Sequence, residues 1–302
     1  MKKIIIIAAS LMMTFSVASS QTDTTNYWST QGNAQLLLNQ ASFTNWVQGG
    51  NNSVSGTALL NYNITYNKDS ITIWENVFDF GYGLINTDEY GTRKNEDKID
   101  ILSNFSHIAA KDLYYSGKFN FKSQFVEGYN YPNDTVEVSN FLAPAYVILS
   151  AGMTYKPNAG FSFYLSPATG KMTIVNDDVL SAAGAYGVTP GETIRMEFGA
   201  YATIDYKQVV MENITFKSKL DLFNNYTAPV SQNRANIDVN WENSINLTVN
   251  EYITVNIFAH LIYDHDIDVP IFDNVAGEQV QVGTAPRLQV KQTLGLGFGY
   301  KF

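Results

Sequence analysis

Apolar and polar residues alternate with a period of two along most of this chain. From Leu288 to the end, the positions Leu288, Val290, Leu294, Leu296, Phe298, Tyr300 and Phe302 are apolar or aromatic, with Gln292 the one break, and the residues between are Gln, Lys, Thr or Gly. That period belongs to a strand with one greasy and one polar face. The same rhythm predicts about twelve strands, at 34–43, 53–67, 70–85, 98–108, 113–127, 145–155, 161–166, 193–207, 209–223, 236–249, 252–265 and 287–302. Several reach the roughly 9–11 residues that cross a bilayer at a tilt.

The connections fall into two alternating sets. Short ones lie at 68–69, 109–112, 156–160, 208 and 250–251; long ones span 44–52, 86–97, 128–144, 167–192, 224–235 and 266–286. Short turns on one rim and long loops on the other are the signature of an outer-membrane barrel, with the short turns in the periplasm. The competing fold is a soluble β-sandwich ending on an edge strand, which gives no reason for loop length to segregate. The ending itself resembles the C-terminal strand by which barrels are recognised for assembly, and this makes Tyr300 and Phe302 the candidate assembly signal. The expectation is an all-β, closed antiparallel transmembrane barrel, with 34–302 as the barrel and 21–33 as a periplasmic N-terminal segment.

The N-terminus fits that destination. Lys2 and Lys3 precede a mostly apolar stretch from Ile4 to Val17, then small residues Ala18, Ser19 and Ser20. Residues 1–20 therefore read as a cleaved secretory signal peptide. Losing Lys2 and Lys3 with it lowers the 19 basic residues to 17 against 28 acidic ones, and the net charge from −9 to −11. Such acidity argues against nucleic-acid partners. With no Cys there is neither a lipid attachment site nor a disulfide scaffold. The 19 Tyr, 18 Phe and 4 Trp suit the aromatic girdles of a barrel. The implied surroundings are outer-membrane lipid and the barrel-assembly machinery; no cofactor is implied, and oligomeric state is left open.

Parity then assigns the lumen. Tyr114, Ser116, Lys118, Asn120 and Lys122 share one face, and Tyr115, Phe119, Phe121 and Phe125 the other. Stretches 70–85 and 98–108 are apolar on both faces, which suggests a bulge or a register irregularity there. The inward basic residues are Lys118, Lys122, Arg195, Lys207, Lys217, Lys219, Arg287 and Lys291. The inward acidic ones are Glu75, Asp79, Asp100, Glu197, Asp205, Asp221, Asp238, Glu242 and Asp264. A tight turn near Gln208 would place Arg195 opposite Asp221 and Glu197 opposite Lys219; one near Lys111 would place Asp100 opposite Lys122. So balanced a lumen suits a narrow passive path for small polar solutes, and a passive porin-like channel is the expected function; the alternative is a charged plug in a non-conducting structural barrel or a component of an envelope assembly or secretion complex. About twelve strands lie between filled small barrels and open porins, so size does not decide.

Catalysis and metal binding gain little support. His260 and Asp264 share a face but are about 13 Å apart along a strand, and His107 is followed by Ile108 and Ala109. Asp238 and Asp264 could face each other near the long-loop rim and share a proton or hold a cation. No catalytic, cofactor or metal residue is assigned.

The most distinctive local motif runs from Asn39 to Ser53. Gly49 and Gly50 among Asn residues are turn chemistry, and Phe43 and Trp46 are candidate membrane-interface anchors, or contacts to sugars or lipid headgroups. The pattern carried by Ser42, Phe43, Asn45, Trp46, Gly49, Gly50, Asn52 and Ser53 resembles a Bacteroidota outer-membrane family filed as domain of unknown function 3078. The resemblance extends over nearly the whole mature chain, including 118–129 and the Phe302 ending. It implies a barrel in a Gram-negative envelope and brings no catalytic or ligand residues with it.

Overall fold

The structure is a computed structural model that describes residues 27–42, 52–129, 131, 133–228, 235–275 and 278–302. The strands are β1 (Trp28–Ala41), β2 (Ser53–Lys68), β3 (Thr72–Thr87), β4 (Gly91–Ala110), β5 (Leu113–Ser123), β6 (Gly128–Tyr129), β7 (Glu137–Ser139) and β8 (Ala145–Asn158). They continue with β9 (Phe161–Ile174), β10 (Ile194–Met211), β11 (Ile214–Asn225), β12 (Asp238–Thr248), β13 (Ile253–Tyr263), β14 (Asp268–Val275), β15 (Glu278–Pro286) and β16 (Gln289–Lys301). Twelve close into one antiparallel barrel in the order β1-β16-β13-β12-β11-β10-β9-β8-β5-β4-β3-β2. β14 pairs with β15 and β6 with β7 as small hairpins outside it. Closure removes every free edge, the condition for strands in a lipid environment.

The alternation sets the two faces. Leu36, Leu38, Phe105, Phe119, Leu149, Leu165, Met196, Leu294, Leu296 and Phe298 point out and stay exposed, as a lipid-facing band requires. At the seam, Gly32 N–H donates to the Phe302 carbonyl at 2.6 Å and Phe302 N–H returns to Gly32 at 3.0 Å. Gly32 leaves room for the terminal ring: a Cβ there would lie 2.2 Å from it. Phe302 also stacks near Tyr62 and Tyr300 at 6.2 and 6.0 Å. Trp28, Tyr66 and Trp74 continue this aromatic rim at the short-turn end.

Several boundaries differ from the sequence reading. β1 begins at Trp28, within the stretch expected to be a periplasmic segment. The connection expected over 86–97 is a tight turn between Thr87 and Gly91, because β3 and β4 keep pairing as a hairpin that outruns β5. One register shift falls between Gly83 and Leu84, opposite Glu96 and Lys94, the region where both faces read apolar. β9 runs on through Pro167 to Ile174. Proline cannot donate to the ladder, so it sits in a bulge: Leu165 pairs with Met153 and Ala168 with Ala151. The opposing Gly152 is required there, since a Cβ would meet the Leu165 carbonyl at 2.1 Å.

The turn expected near Gln208 lies after Met211. Lys219 therefore faces Asp205 and Asp221 faces Thr203, while Glu197 and Arg195 pair across β9 with Lys171 and Thr173. A turn displaced by about four residues moves every partner by eight, an even number, so faces are kept while partners change. Asp100 does face Lys122. Arg287, expected in the lumen, lies instead in the connection between β15 and β16, outside the barrel strands.

Candidate functional site: a lumen crossed by ion pairs

At the short-turn end, the lumen holds a cavity of about 580 Å³ that reaches the turn residues Ala159 and Gly160. Ser, Thr and Asn side chains share its wall with Ile73, Val77 and Leu102. Of the sequence-assigned charges, Glu75, Lys118, Asp205, Lys207, Lys217, Lys219 and Glu242 line it. Lys118 is 8% exposed, with its ammonium 4.3 Å from the centre of the Tyr164 ring.

Above the cavity, aromatic side chains pack into part of the interior. Tyr164, Tyr201 and Phe223, from three consecutive strands, form a buried cluster inside the barrel with Ile148 against it. Tyr201 O–H and Thr203 O–H donate to one oxygen of Asp221 at 2.7 and 3.0 Å, and Asn240 donates to the other at 3.2 Å. Lys219 lies 3.6 Å from the same carboxylate.

Ion pairs then cross from wall to wall. Lys122 on β5 stands 3.7 Å from Asp100 and 4.0 Å from Glu242 on β12, five strands away. Lys291 on β16 reaches Glu96 on β4 at 2.7 Å, across four strand intervals. Lys171 on β9 meets Asp238 at 2.8 Å, with Asp264 and Glu197 each at 3.5 Å. Arg195 bonds Glu197 at 2.7 Å and pairs with Asp266 beyond β13.

The long loops lie over this layer. Val175, Leu180 and Val188 of the β9–β10 connection bury themselves against Ala143 of the β5–β8 connection, with Ala185 and Tyr186 packed alongside. Asp177 caps the short helix Asp178–Ala182 by accepting from the Val179 and Leu180 amides. Tyr186 O–H donates to the Val138 carbonyl. Gly187, at φ 77°, rests on Arg195 and near the Asp266 carbonyl, where a Cβ would collide with the guanidinium. The β9–β10 loop thus spans toward the far wall, over the ion pairs.

Asp238 and Asp264 do converge, but the Lys171 ammonium takes the place a cation would occupy. Among the described residues, no three metal-ligating side chains group together. His260 contacts Asn240 and stands 4.0 Å from Glu242; His107 bonds Thr72 and His265 bonds Tyr263. Phe43 and Trp46 lie outside the described residues. Tyr300 and Phe302 are exposed on the outer face. Sequence reading missed Lys171, Glu96, Lys98, Lys156 and Asp266. Lys171, Glu96, Lys156 and Asp266 fall in stretches that read as connections, while Lys98 opens its predicted strand on the same face as Asp100.

Residues 38–129 match the model of a family described as a protein of unknown function, DUF3078. No curated protein matches the chain. Among solved structures, an outer membrane channel from Pseudomonas putida F1 aligns at 12% identity and a TM-score of 0.41, covering 93% of this chain and 100% of that one. The translocator domain of the autotransporter NalP from Neisseria meningitidis aligns at 9% identity and a TM-score of 0.40, over 100% and 94%. OmpT, an outer membrane protein of Vibrio cholerae, aligns at 7% identity and a TM-score of 0.33, over 91% and 97%.

Proposed function

We propose that this chain is an outer-membrane barrel that works with its lumen shut on the long-loop side: a membrane-embedded scaffold with a polar vestibule open at the short-turn rim, and not an open porin. The supporting observation is the Lys291–Glu96 contact at 2.7 Å between strands four apart, with Lys122 and Lys171 bridging likewise. A direct ion pair across the lumen leaves no water-filled passage between its partners. In this reading residues 1–20 direct export, the Tyr300–Phe302 ending serves the assembly machinery, the short turns face the periplasm, and the barrel acts without chemistry.

The second reading is a narrow charge-lined channel for small polar solutes. It is favoured by the residual exposure of the bridging cations, 28% for Lys122 and 40% for Lys291. Planar-bilayer recording of the refolded, heat-modifiable protein separates the two. A shut lumen gives a silent bilayer for the native chain. Steady discrete openings, with ion selectivity that shifts in Lys122→Gln, would establish the channel and overturn the scaffold.

A further inference from the structure

The vestibule carries the wrong charge for this protein. The whole chain is acidic, at −9. Yet its wall holds five lysines, Lys118, Lys156, Lys207, Lys217 and Lys219, against three carboxylates, Glu75, Asp205 and Glu242. Lys156 is held by Glu75 at 3.1 Å and Lys219 by Asp221 at 3.6 Å. Among the described residues, no carboxylate lies within 4.0 Å of Lys118, Lys207 or Lys217.

Their placement sharpens the point. Lys207 and Lys217 stand directly opposite each other on the β10–β11 ladder. Like charges at facing positions destabilise a sheet. Two residue pairs further in, at the next position on this face, Asp205 faces Lys219, and Ser162 donates to Asp205 at 3.4 Å. Lys118 lies deeper, almost wholly buried over an aromatic ring, which holds an ammonium only weakly. Three ammonium groups without a contacting carboxylate, Lys118 buried and Lys207 and Lys217 exposed at the mouth, give the wall a positive field that an anion would offset.

We propose that the vestibule is a binding site for a small solute bearing a dianionic phosphate, bound from the short-turn rim between Lys207, Lys217 and Lys118. Ammonium groups are compact, rotatable donors that suit phosphate oxygens approaching from varied directions. The volume, about 580 Å³, lies in the range of small-molecule sites and exceeds what phosphate alone would fill. The hydroxyl and amide groups of Asn63, Thr65 and Ser162 supply partners for a polar body such as a sugar. The site does not depend on whether the lumen conducts, because binding is read without a membrane.

The test is isothermal titration of glucose 6-phosphate into the folded barrel in uncharged detergent at low salt, with glucose as the neutral control. Saturable binding of the phosphate ester, none of glucose, and weakening as salt is raised are expected. The double variant Lys207→Gln/Lys217→Gln should bind about tenfold more weakly or worse, the scale of a lost charge-assisted contact. Lys111→Gln, an exposed lysine of the same rim outside the cavity, should bind as the native chain does. Heat-modifiability confirms that each variant is folded, and Lys118→Met repeats the test deeper in the cavity. No saturable binding by the native barrel, or binding unchanged by the double substitution, would overturn the proposal.

Discussion

Replacing Lys171 by Met is the sharpest probe of the lumen. Its ammonium lies 2.8 Å from Asp238 and 3.5 Å from both Asp264 and Glu197, and these side chains are 11%, 20%, 11% and 2% exposed respectively. At an effective dielectric constant of about 20, a pair at 2.8 Å is attracted by ~6 kcal/mol. Desolvation already offsets much of that in the intact protein, but removing the cation leaves the carboxylates desolvated and facing one another. Glu197 keeps Arg195 at 2.7 Å and an amide from Asn225 at 2.9 Å, so the stranded pair is Asp238 and Asp264. The expected loss is about 3–5 kcal/mol, the usual result of breaking a buried pair from one side. Equilibrium urea unfolding from lipid vesicles, followed by tryptophan fluorescence and gel mobility, reads it directly. Adding Asp238→Asn to Lys171→Met should restore part of the loss, with a coupling of about 1–3 kcal/mol. A loss under ~1 kcal/mol in the single variant, or strict additivity in the double, would show that the network does not hold the barrel closed.

Two further outcomes follow from the backbone and the loop cap. Gly152→Ala should cost about 1–3 kcal/mol because its Cβ would meet the Leu165 carbonyl at the Pro167 bulge. Gly117→Ala, whose nearest neighbour would be 3.8 Å away, should be neutral or gain up to about 1 kcal/mol; equal shifts in the two would refute the packing argument. Burial pushes the Tyr186 hydroxyl from its ordinary value of 10.0 up to about 12. The folded state therefore holds this proton more tightly than the unfolded one. Its contribution is complete below about pH 10 and is lost as pH rises toward 12. Between those values the native chain should lose stability more steeply than Tyr186→Phe, and parallel curves would contradict the assignment.

The architecture was legible because a strand's two faces are a local property. Tyr114, Ser116, Lys118 and Asn120 turn inward and Tyr115 and Phe119 outward with no help from distant residues. The lumen side of most charged positions could be read in the same way, and even the misplaced β10–β11 turn left it intact. Partners were harder. That turn sits where Val209, Val210 and Met211 prolong β10, and nothing local in an apolar run says where pairing stops. Lys171 was hidden because a Pro and a Gly within 167–170 look like a loop, whereas the barrel absorbs Pro167 as a bulge.

The sequence by itself determined a closed membrane barrel, its strand number, its lipid face and the polar character of its interior, since period, turn chemistry and strand length are written residue by residue. Only the tertiary structure decided which charges meet. Lys122 reaches Glu242, Lys291 reaches Glu96, and Lys171 reaches Asp238 across three to five strands. Those meetings depend on the stagger and curvature with which twelve strands close, a global quantity to which every turn and bulge contributes. The same closure leaves Lys207 and Lys217 facing each other over the short-turn vestibule, while the ion pairs of Lys291 and Lys171 cross the lumen elsewhere.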